Sequence, residues 1–213
     1  MDLSDYKHRD GRLRRSERTR KALIEAYLDL LRENQQPPTT PEIAKRAGYS
    51  VRSVFERFSD LLTLSLAAAD YSFEQAMAQA ALPILDADLH TRLKSQVETR
   101  AAICEQWLPL WRALLRYQGA SEELAIRIKR IRDAMVARLE LVYRPELSTL
   151  SESEHTQLLI ALDILTDFES WGRMREDHGL SIEAARDLWI NAIGRMLPAA
   201  AGNPAYSIPL ASG

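Results

Sequence analysis

The sequence has few of the residues that hold a fold together through covalent or metal bonds. Its only cysteine is Cys104, which cannot form a disulfide within the chain. One cysteine and four scattered histidines give no Cys/His zinc spacing. The sequence also lacks the roughly 18 to 20 uninterrupted apolar residues of a membrane span and an N-terminal apolar segment typical of a signal peptide. We therefore expect a cytoplasmic protein without disulfides or structural zinc.

Sequence motifs of enzymes are also missing. There is no glycine-rich phosphate loop, no G-x-S-x-G and no H-E-x-x-H. Glu152 and His155 form one Glu-x-x-His pair, whereas a di-iron helical bundle needs two. Cys104 lies in an apolar helical segment, where an inert thiol is more common than a nucleophile. We expect no catalytic residue, no metal and no cofactor.

What remains is the composition of an ordinary globular protein with an uneven charge distribution. The 213 residues are 46% hydrophobic and 27% charged, enough for one domain or for a small domain joined to a larger one. Net charge is −2, but residues 1–60 carry 13 Lys/Arg against 10 Asp/Glu. Residues 7–21 alone contain eight basic and two acidic side chains. Such a basic segment indicates either nucleic-acid contact or a solvated charged tail.

Strand patterns are scarce, and helical periodicity dominates. Ile24, Tyr27, Leu28 and Leu31 form one apolar stripe, which predicts a helix from about Ser16 to Glu33. Further along the chain, the pattern predicts longer helices at about 60–82, 87–118 (with a possible break before Pro109), 122–143, 152–177 and 181–197.

Between the first helix and the longer ones, the sequence predicts two short helices joined by a tight turn. Thr40 before Pro41 is typical of a helix N-cap, Gly48 of a helix end, and Ser50 of the next N-cap. Two short helices with a glycine-containing turn, here from Pro41 to Phe58, are typical of a helix-turn-helix unit, whose second helix enters the major groove of DNA.

The inner and outer faces of this unit can be assigned from spacing. Its inner face is predicted to consist of Ile43, Ala44, Ala47, Val54 and Phe58. The second helix then presents short polar residues and arginine, which suit base edges and phosphates. We expect Arg52 to contact a base, and the outward residues are Ser50, Val51, Arg52, Ser53 and Arg57.

These segments resemble a known family. TRKALIEAYLDLL followed by TTPEIAKRAGYSVRSVFERFSDLLTL is similar to the DNA-binding domain of TetR-type transcriptional regulators, over about residues 16–65. The resemblance implies a homodimer that binds a palindromic operator, usually as a repressor released by a small ligand acting through the helix at 60–82. It also implies phosphate contacts by Thr40, Phe55 and Arg57.

Two positions depart from the family pattern. Phe55 stands where tyrosine is common and has no hydroxyl, and Leu61 replaces a common lysine. Arg57 and the basic residues Arg14 and Arg15 are expected to compensate for the lost phosphate contacts.

The longer helices suggest two further sites. Seven of the eight residues in 158–165 are apolar, and the last helix is apolar on more than one side, so these helices are expected to form a four-helix dimer interface. Its predicted residues are Ile160, Ile164, Leu188, Trp189, Ile193 and Met196. Aromatic side chains at helical spacing in these helices favour either a core or an apolar ligand pocket. The ligand candidates are Trp107, Trp111, Met135, Phe168 and Trp171, with Asp163 or Asp167 as polar anchors.

The whole-chain prediction is an all-α protein in which a three-helix helix-turn-helix domain precedes a larger helical bundle that dimerises through its last two helices. Residues 1–15 are expected to form a flexible basic arm, 16–59 the DNA-binding domain, 60–197 the ligand-binding and dimerisation domain, and 198–213 a flexible tail. The expected partners are double-stranded DNA, a second copy of the chain and an unidentified small molecule, without a membrane. The alternative is an all-helical small-molecule-binding protein or enzyme with a vestigial helix-turn-helix.

Overall fold

A computed structural model describes residues 3–34, 37–80, 82–117, 119 and 121–198, with side chains from Arg14 onward. The described residues form helices and connecting loops and contain no β-strand, which confirms the all-α prediction. The helices are α1 (Leu3–Glu33), α2 (Thr40–Ala47), α3 (Val51–Phe55), α4 (Leu61–Gln79), α5 (Leu89–Leu115), α6 (Glu122–Val142), α7 (Arg144–Leu147), α8 (Glu152–Leu165), α9 (Phe168–Gly172) and α10 (Ile182–Met196). A π-helical turn, Arg173–Asp177, continues α9.

The first helix is longer than its apolar stripe predicts. It begins at Leu3 and not near Ser16, so the backbone of most of the predicted basic arm is part of α1. No proline interrupts these residues, and Gly11 lowers helix stability by only about 1 kcal/mol relative to alanine. Apart from Pro198, the predicted C-terminal tail lies outside the described residues.

The helix predicted at 152–177 is divided in the structure. Its first part, α8, ends at Leu165, where the Thr166 hydroxyl donates to the Leu162 carbonyl at 2.8 Å. Asp167 then caps α9 by accepting the backbone N–H of Glu169 at 3.3 Å. Short polar side chains that bond to nearby backbone compete with helix continuation, which explains the break. The possible break before Pro109 is absent, since α5 runs through it.

The helices group into two compact units. The first contains the chain up to Gln75 together with Pro109–Arg127, and the second contains Ala76–Leu108 and the chain from Ile128 onward. Three helices, α4, α5 and α6, therefore contribute residues to both units. The helix-turn-helix segment belongs to the first unit together with the start of α4.

The core of the first unit follows the predicted stripe of α1. Ile24, Tyr27, Leu28 and Leu31 are all buried, and α1 packs against α2. The Tyr27 hydroxyl lies 2.8 Å from Ser65 Oγ on α4. Burial raises the pKa of Tyr27 to about 12, so this phenol stays protonated and keeps its hydrogen bond.

The core of the second unit combines aromatic packing with a buried ion pair. Trp171 and Trp189 are fully buried, with ring centroids 4.9 Å apart. Arg92 donates to Glu146 Oε2 at 3.0 Å, and its guanidinium also donates to the Val142 carbonyl. Both charged side chains are almost completely buried. Buried charges are tolerated only when they are paired and hydrogen-bonded, and this pair meets that condition.

Candidate nucleic-acid interface

The start of α2 is fixed by a capping interaction one residue earlier than predicted. The N-cap is Thr39 and not Thr40. The backbone N–H and the hydroxyl of Thr39 both donate to Glu42 Oε2, each at 2.7 Å. These hydrogen bonds hold the pKa of the Glu42 carboxyl below its usual value. Thr40, a predicted phosphate contact, occupies the first turn of α2 and is half-buried.

The turn and the start of α3 are as predicted. Gly48 has φ 74°, a left-handed conformation that disfavours residues with a Cβ, and it ends α2. Ser50 caps α3, with its Oγ accepting the backbone N–H of Ser53 at 3.1 Å. α3 is shorter than predicted, because it ends at Phe55, before Arg57 and Phe58.

The predicted inner face of the two short helices is confirmed by burial. Ile43, Ala44, Val54 and Phe58 are buried, and Ala47 is half-buried. α2 packs against both α1 and α3. These contacts define which side of α3 faces its own unit.

The opposite side of α3 is exposed. The side chain of Arg52 is 89% exposed, Val51 38% and Phe55 56%. Two apolar residues on this face are unusual for a solvated helix and suit contact with thymine methyl groups or sugar. Of the other predicted contacts on this segment, Ser50 is exposed, whereas Ser53 and Arg57 are half-buried.

An acidic side chain connects the two arginines of this segment. Arg52 Nε donates to Glu56 Oε1 at 3.0 Å, and Arg57 Nη1 donates to Glu56 Oε2 at 3.4 Å. The hydrogen bond from Arg52 is the largest cause of a lowered Glu56 pKa, so the carboxylate is charged at neutral pH. Sequence reasoning missed Glu56, although the i,i+4 spacing of Arg52 and Glu56 signals such a pair.

The basic side chains at the described end of α1 are exposed. Arg14 and Arg15, the predicted arm contacts, are at the surface, as are Arg18, Arg20 and Lys21. The Arg20 guanidinium lies 5.2 Å from the ring centroid of Phe58, the residue that anchors the segment after α3. The first unit therefore has exposed cations on α1 as well as on α3.

The ligand candidates are mostly packed residues. Trp107, Trp111, Phe168 and Trp171 are buried, and Met135 is half-buried. Trp111 belongs to the first unit and the other four to the second.

Two buried aromatic candidates have polar partners inside the second unit. Trp171 Nε1 donates to Glu105 at 2.6 Å, and the Arg100 guanidinium lies 4.7 Å from the Phe168 ring centroid. The carboxylate of Asp167 caps α9. These contacts give the aromatic residues a packing role within the unit.

Burial also affects the carboxyl of the ligand candidate Asp163 and the thiol of Cys104 in the second unit. Desolvation, followed by the charge of Asp167, raises the pKa of the half-buried Asp163 carboxyl. Burial raises the pKa of the Cys104 thiol to about 12, so it is protonated and unreactive at neutral pH.

The predicted dimer-interface residues fall into two groups. Ile160, Ile164 and Leu188 are 55%, 63% and 42% exposed, and α8 packs against α10. Trp189 and Ile193, in contrast, are fully buried within their own unit, Trp189 against Trp171. Their side chains are therefore not exposed on the subunit surface, and their part in an interface stays a prediction. Met196 is half-buried.

Membrane-spanning helices and metal sites are both absent from the described part of the chain. Within it, every helix is too short or too polar to cross a membrane. Among the same residues, no three His, Cys, Asp or Glu side chains are grouped so that they could hold a metal ion.

The fold is shared with solved transcriptional regulators. No protein-family model matches the chain, and no curated protein matches it. A TetR-family transcriptional regulator from Streptomyces coelicolor aligns with a TM-score of 0.69 at 17% identity, over 84% of this chain and 80% of its own. A transcriptional regulator from Rhodococcus sp. Rha1 aligns with a TM-score of 0.68 at 18% identity, over 83% and 95%.

A further solved structure with this fold binds a small molecule. The multidrug binding protein EbrR, solved in complex with imidazole, aligns with a TM-score of 0.53 at 18% identity, over 86% of this chain and 97% of its own. At these identities the similarity establishes the fold, a helix-turn-helix domain with a helical bundle, which is the architecture that the sequence predicts.

Proposed function

We propose that this chain is a sequence-specific, DNA-binding transcriptional regulator that acts in the cytoplasm. The observation that carries the proposal is the geometry of α3. Val54 on its inner side and Phe58 just after the helix are buried, while Val51, Arg52 and Phe55 are exposed on the other side. A short helix held in this way after a glycine turn can enter the major groove with its exposed face toward the bases.

The proposed DNA contacts divide by chemistry. Arg52 is expected to read a base edge, and Val51 and Phe55 to make apolar contacts in the groove. Exposed cations on α1, including Arg14 and Arg15, are expected to neutralise phosphates and to make binding salt-dependent. Thr40 and Arg57 are kept as phosphate contacts, and Ser50 and Ser53 as contacts to base edges or phosphate oxygens.

We further propose that the regulator is a homodimer. Ile160 and Ile164 lie one turn apart on α8 and are largely exposed, as is Leu188 on the neighbouring α10. Exposed branched apolar side chains on two packed helices suit a symmetric interface with a second copy. A two-fold dimer implies a palindromic operator, with half-sites about 34 to 36 Å apart.

Repression and its release by a small molecule complete the proposal. The fold shared with EbrR, a multidrug binding protein, supports a ligand site in the helical bundle. Binding of such a ligand is expected to weaken operator affinity, since a ligand that favours one arrangement of the dimer changes its affinity for DNA. Trp107, Met135 and Asp163 are the starting points for locating that site.

Selection of bound sequences from random duplex DNA tests the DNA-binding proposal. The wild-type protein is expected to enrich a palindrome. Arg52→Ala is expected to weaken binding to that sequence by about 1 to 3 kcal/mol and to relax selection at one base pair of each half-site. Lys129→Ala, which removes an exposed cation from the second unit, is the control and should select the same palindrome. A folded wild-type protein that enriches no sequence at low salt would contradict the proposal.

A further inference from the structure

The position of the Glu56 carboxylate is unfavourable for the stability of α3. Glu56 is the C-cap of α3, where the partial negative charge of the helix end disfavours an acidic residue. Its pair with Arg52 has arginine on the N-terminal side, the weaker orientation for an i,i+4 ion pair. Beside a DNA backbone the same carboxylate would repel phosphate. Another role is therefore needed to explain this residue on the exposed segment.

The hydrogen bond between Arg52 and Glu56 supplies that role. Arg52 donates a hydrogen bond to Glu56 through Nε, at 3.0 Å, and the Arg52 side chain as a whole is 89% exposed. An arginine has five N–H donors in a planar fork, so fixing Nε leaves the four N–H groups of the two terminal nitrogens available. Those two nitrogens match the O6 and N7 acceptors of guanine. An unrestrained arginine would also reach phosphates in many orientations and would lose more side-chain entropy on binding a base.

Glu56 is itself held in place on its other side. Its second carboxylate oxygen accepts from Arg57 Nη1 at 3.4 Å, and Arg57 is only 26% exposed. The carboxylate thus lies between one arginine packed against the unit and one arginine directed to solvent. Through Glu56, the solvent-exposed Arg52 is connected to the partly buried Arg57.

We propose that Glu56 is a positioning residue for base recognition, which orients Arg52 for guanine and restrains it from nonspecific phosphate contact. The inference rests on the proposed function. It names guanine as the base that Arg52 contacts and Glu56 as the residue that makes this contact selective. It predicts that a substitution of Glu56 changes the ratio of operator affinity to nonspecific DNA affinity more than it changes operator affinity.

The test compares affinities for the selected operator and for an operator changed at the base pair that Arg52→Ala relaxes. In the wild type that base pair is expected to be G·C. Glu56→Ala is expected to reduce the affinity ratio of the two operators by about fivefold or more, within the range of one lost bidentate base contact. Its affinity for unrelated duplex DNA should rise, because a negative charge near phosphate is removed. Glu56→Gln, which keeps an acceptor for Nε but not the charge, should retain more selectivity than Glu56→Ala.

Three comparisons separate a positioning role of Glu56 from a general effect of its charge or of the fold. In an Arg52→Ala background, Glu56→Ala should cause no further loss of selectivity, since the residue acts through Arg52. Glu17→Ala, which removes an exposed carboxylate from α1, should leave the selectivity ratio unchanged. Circular dichroism should show the wild-type helix content for each variant.

The outcomes distinguish this inference from the proposed function. An unchanged ratio in Glu56→Ala, with a wild-type protein that does select an operator, overturns the inference alone. The inference is also overturned if Glu56→Ala loses a preference for cytosine that Arg52→Ala keeps, because Glu56 would then contact the base directly. A wild-type protein that selects no operator overturns the proposed function, and the inference with it.

Discussion

At the level of single residues, the half-buried carboxyl of Asp163 is a group whose environment opposes its charge. Burial is the largest cause of its raised pKa, and the charge of Asp167 adds to it, while Arg100 and Arg132 act in the opposite direction. The two arginines thus offset only part of the rise in the pKa of Asp163. A ligand that brings a positive charge to Asp163 would find a carboxyl whose protonation is coupled to binding.

We predict that Asp163→Asn stabilises the protein at neutral pH. The pKa of Asp163 is higher in the folded than in the unfolded protein. Its contribution to the free energy of unfolding is therefore fully present below the unfolded pKa of about 3.9 and is lost as pH rises through the folded pKa. The gain for Asp163→Asn at pH 7 is expected to be less than about 1 kcal/mol, since the group is partly exposed and screened. Denaturant unfolding at pH 7 and near pH 3 measures it.

The pH dependence provides the check on this prediction. Near pH 3 the gain should be much smaller, because Asp163 is then largely protonated in both states. Asp133→Asn, which changes an exposed carboxylate paired with Lys129, should give no gain at pH 7. A destabilised Asp163→Asn protein at pH 7 would show that the charged form is favoured in the fold.

At the level of helices, the first half of α4 is connected to its neighbours by polar contacts within the first unit. Tyr27 of α1 bonds to Ser65, and Tyr71 donates to Glu25 of α1 at 3.0 Å. Arg127 of α6 forms a bidentate pair with Asp70, with Nε at 3.0 Å and Nη2 at 3.1 Å. α4 therefore contacts both the helix that supports the helix-turn-helix and the start of α6.

We predict that the two partners of the buried α1–α4 hydrogen bond are unequal. The Ser65 hydroxyl donates to the Leu61 carbonyl at 2.7 Å, so Tyr27 is the donor to Ser65. Ser65→Ala leaves a fully buried phenol donor without an acceptor and should cost about 1 to 3 kcal/mol. Tyr27→Phe removes that donor and should cost only about 0.5 to 1.5 kcal/mol. Urea unfolding gives both values.

The exposed hydrogen bond of Tyr71 is the control for this comparison. Tyr71→Phe is expected to change stability by about 0.5 kcal/mol or less, since water replaces the lost partner. Equal losses for Ser65→Ala and Tyr27→Phe would argue against Tyr27 as the donor.

At the level of the whole molecule, the proposed homodimer rests on the apolar side chains that the subunit leaves exposed. Ile160 and Ile164 of α8 are more than half exposed, and Leu188 of α10 is 42% exposed. In the proposed homodimer, a second copy of the chain covers this surface. Operator affinity and dimer affinity are therefore expected to change together.

We predict that Ile164→Arg converts the proposed dimer to a monomer and weakens operator binding. A charge placed in an apolar interface loses hydration without gaining a partner. The dissociation constant of the dimer should therefore increase at least tenfold. Sedimentation equilibrium measures the change. Ile126→Arg on α6 is the matched control, because Ile126 is 61% exposed in the first unit and is not part of the proposed interface. A monomeric wild type, or a dimer unaffected by Ile164→Arg, would contradict the proposed interface.

Much of the helix-turn-helix was predictable because its signals are local. The apolar stripe of α1, the positive φ of Gly48 and the cap at Ser50 each depend on residues a few positions apart. Even there, adjacent threonines can both cap a helix, and the structure selects Thr39 because Glu42 reaches its N–H and hydroxyl.

Choices between distant partners were decided only by tertiary structure. The periodicity of α8 and α10 shows that several faces are apolar, but it does not say which face meets the subunit's own core. Trp189 and Ile193 were predicted at a dimer interface and are buried within the second unit, while Ile160 and Ile164 stay exposed. The physical reason is that burial depends on what packs against a helix, here Trp171 against Trp189, and sequence spacing carries only the direction of each side chain.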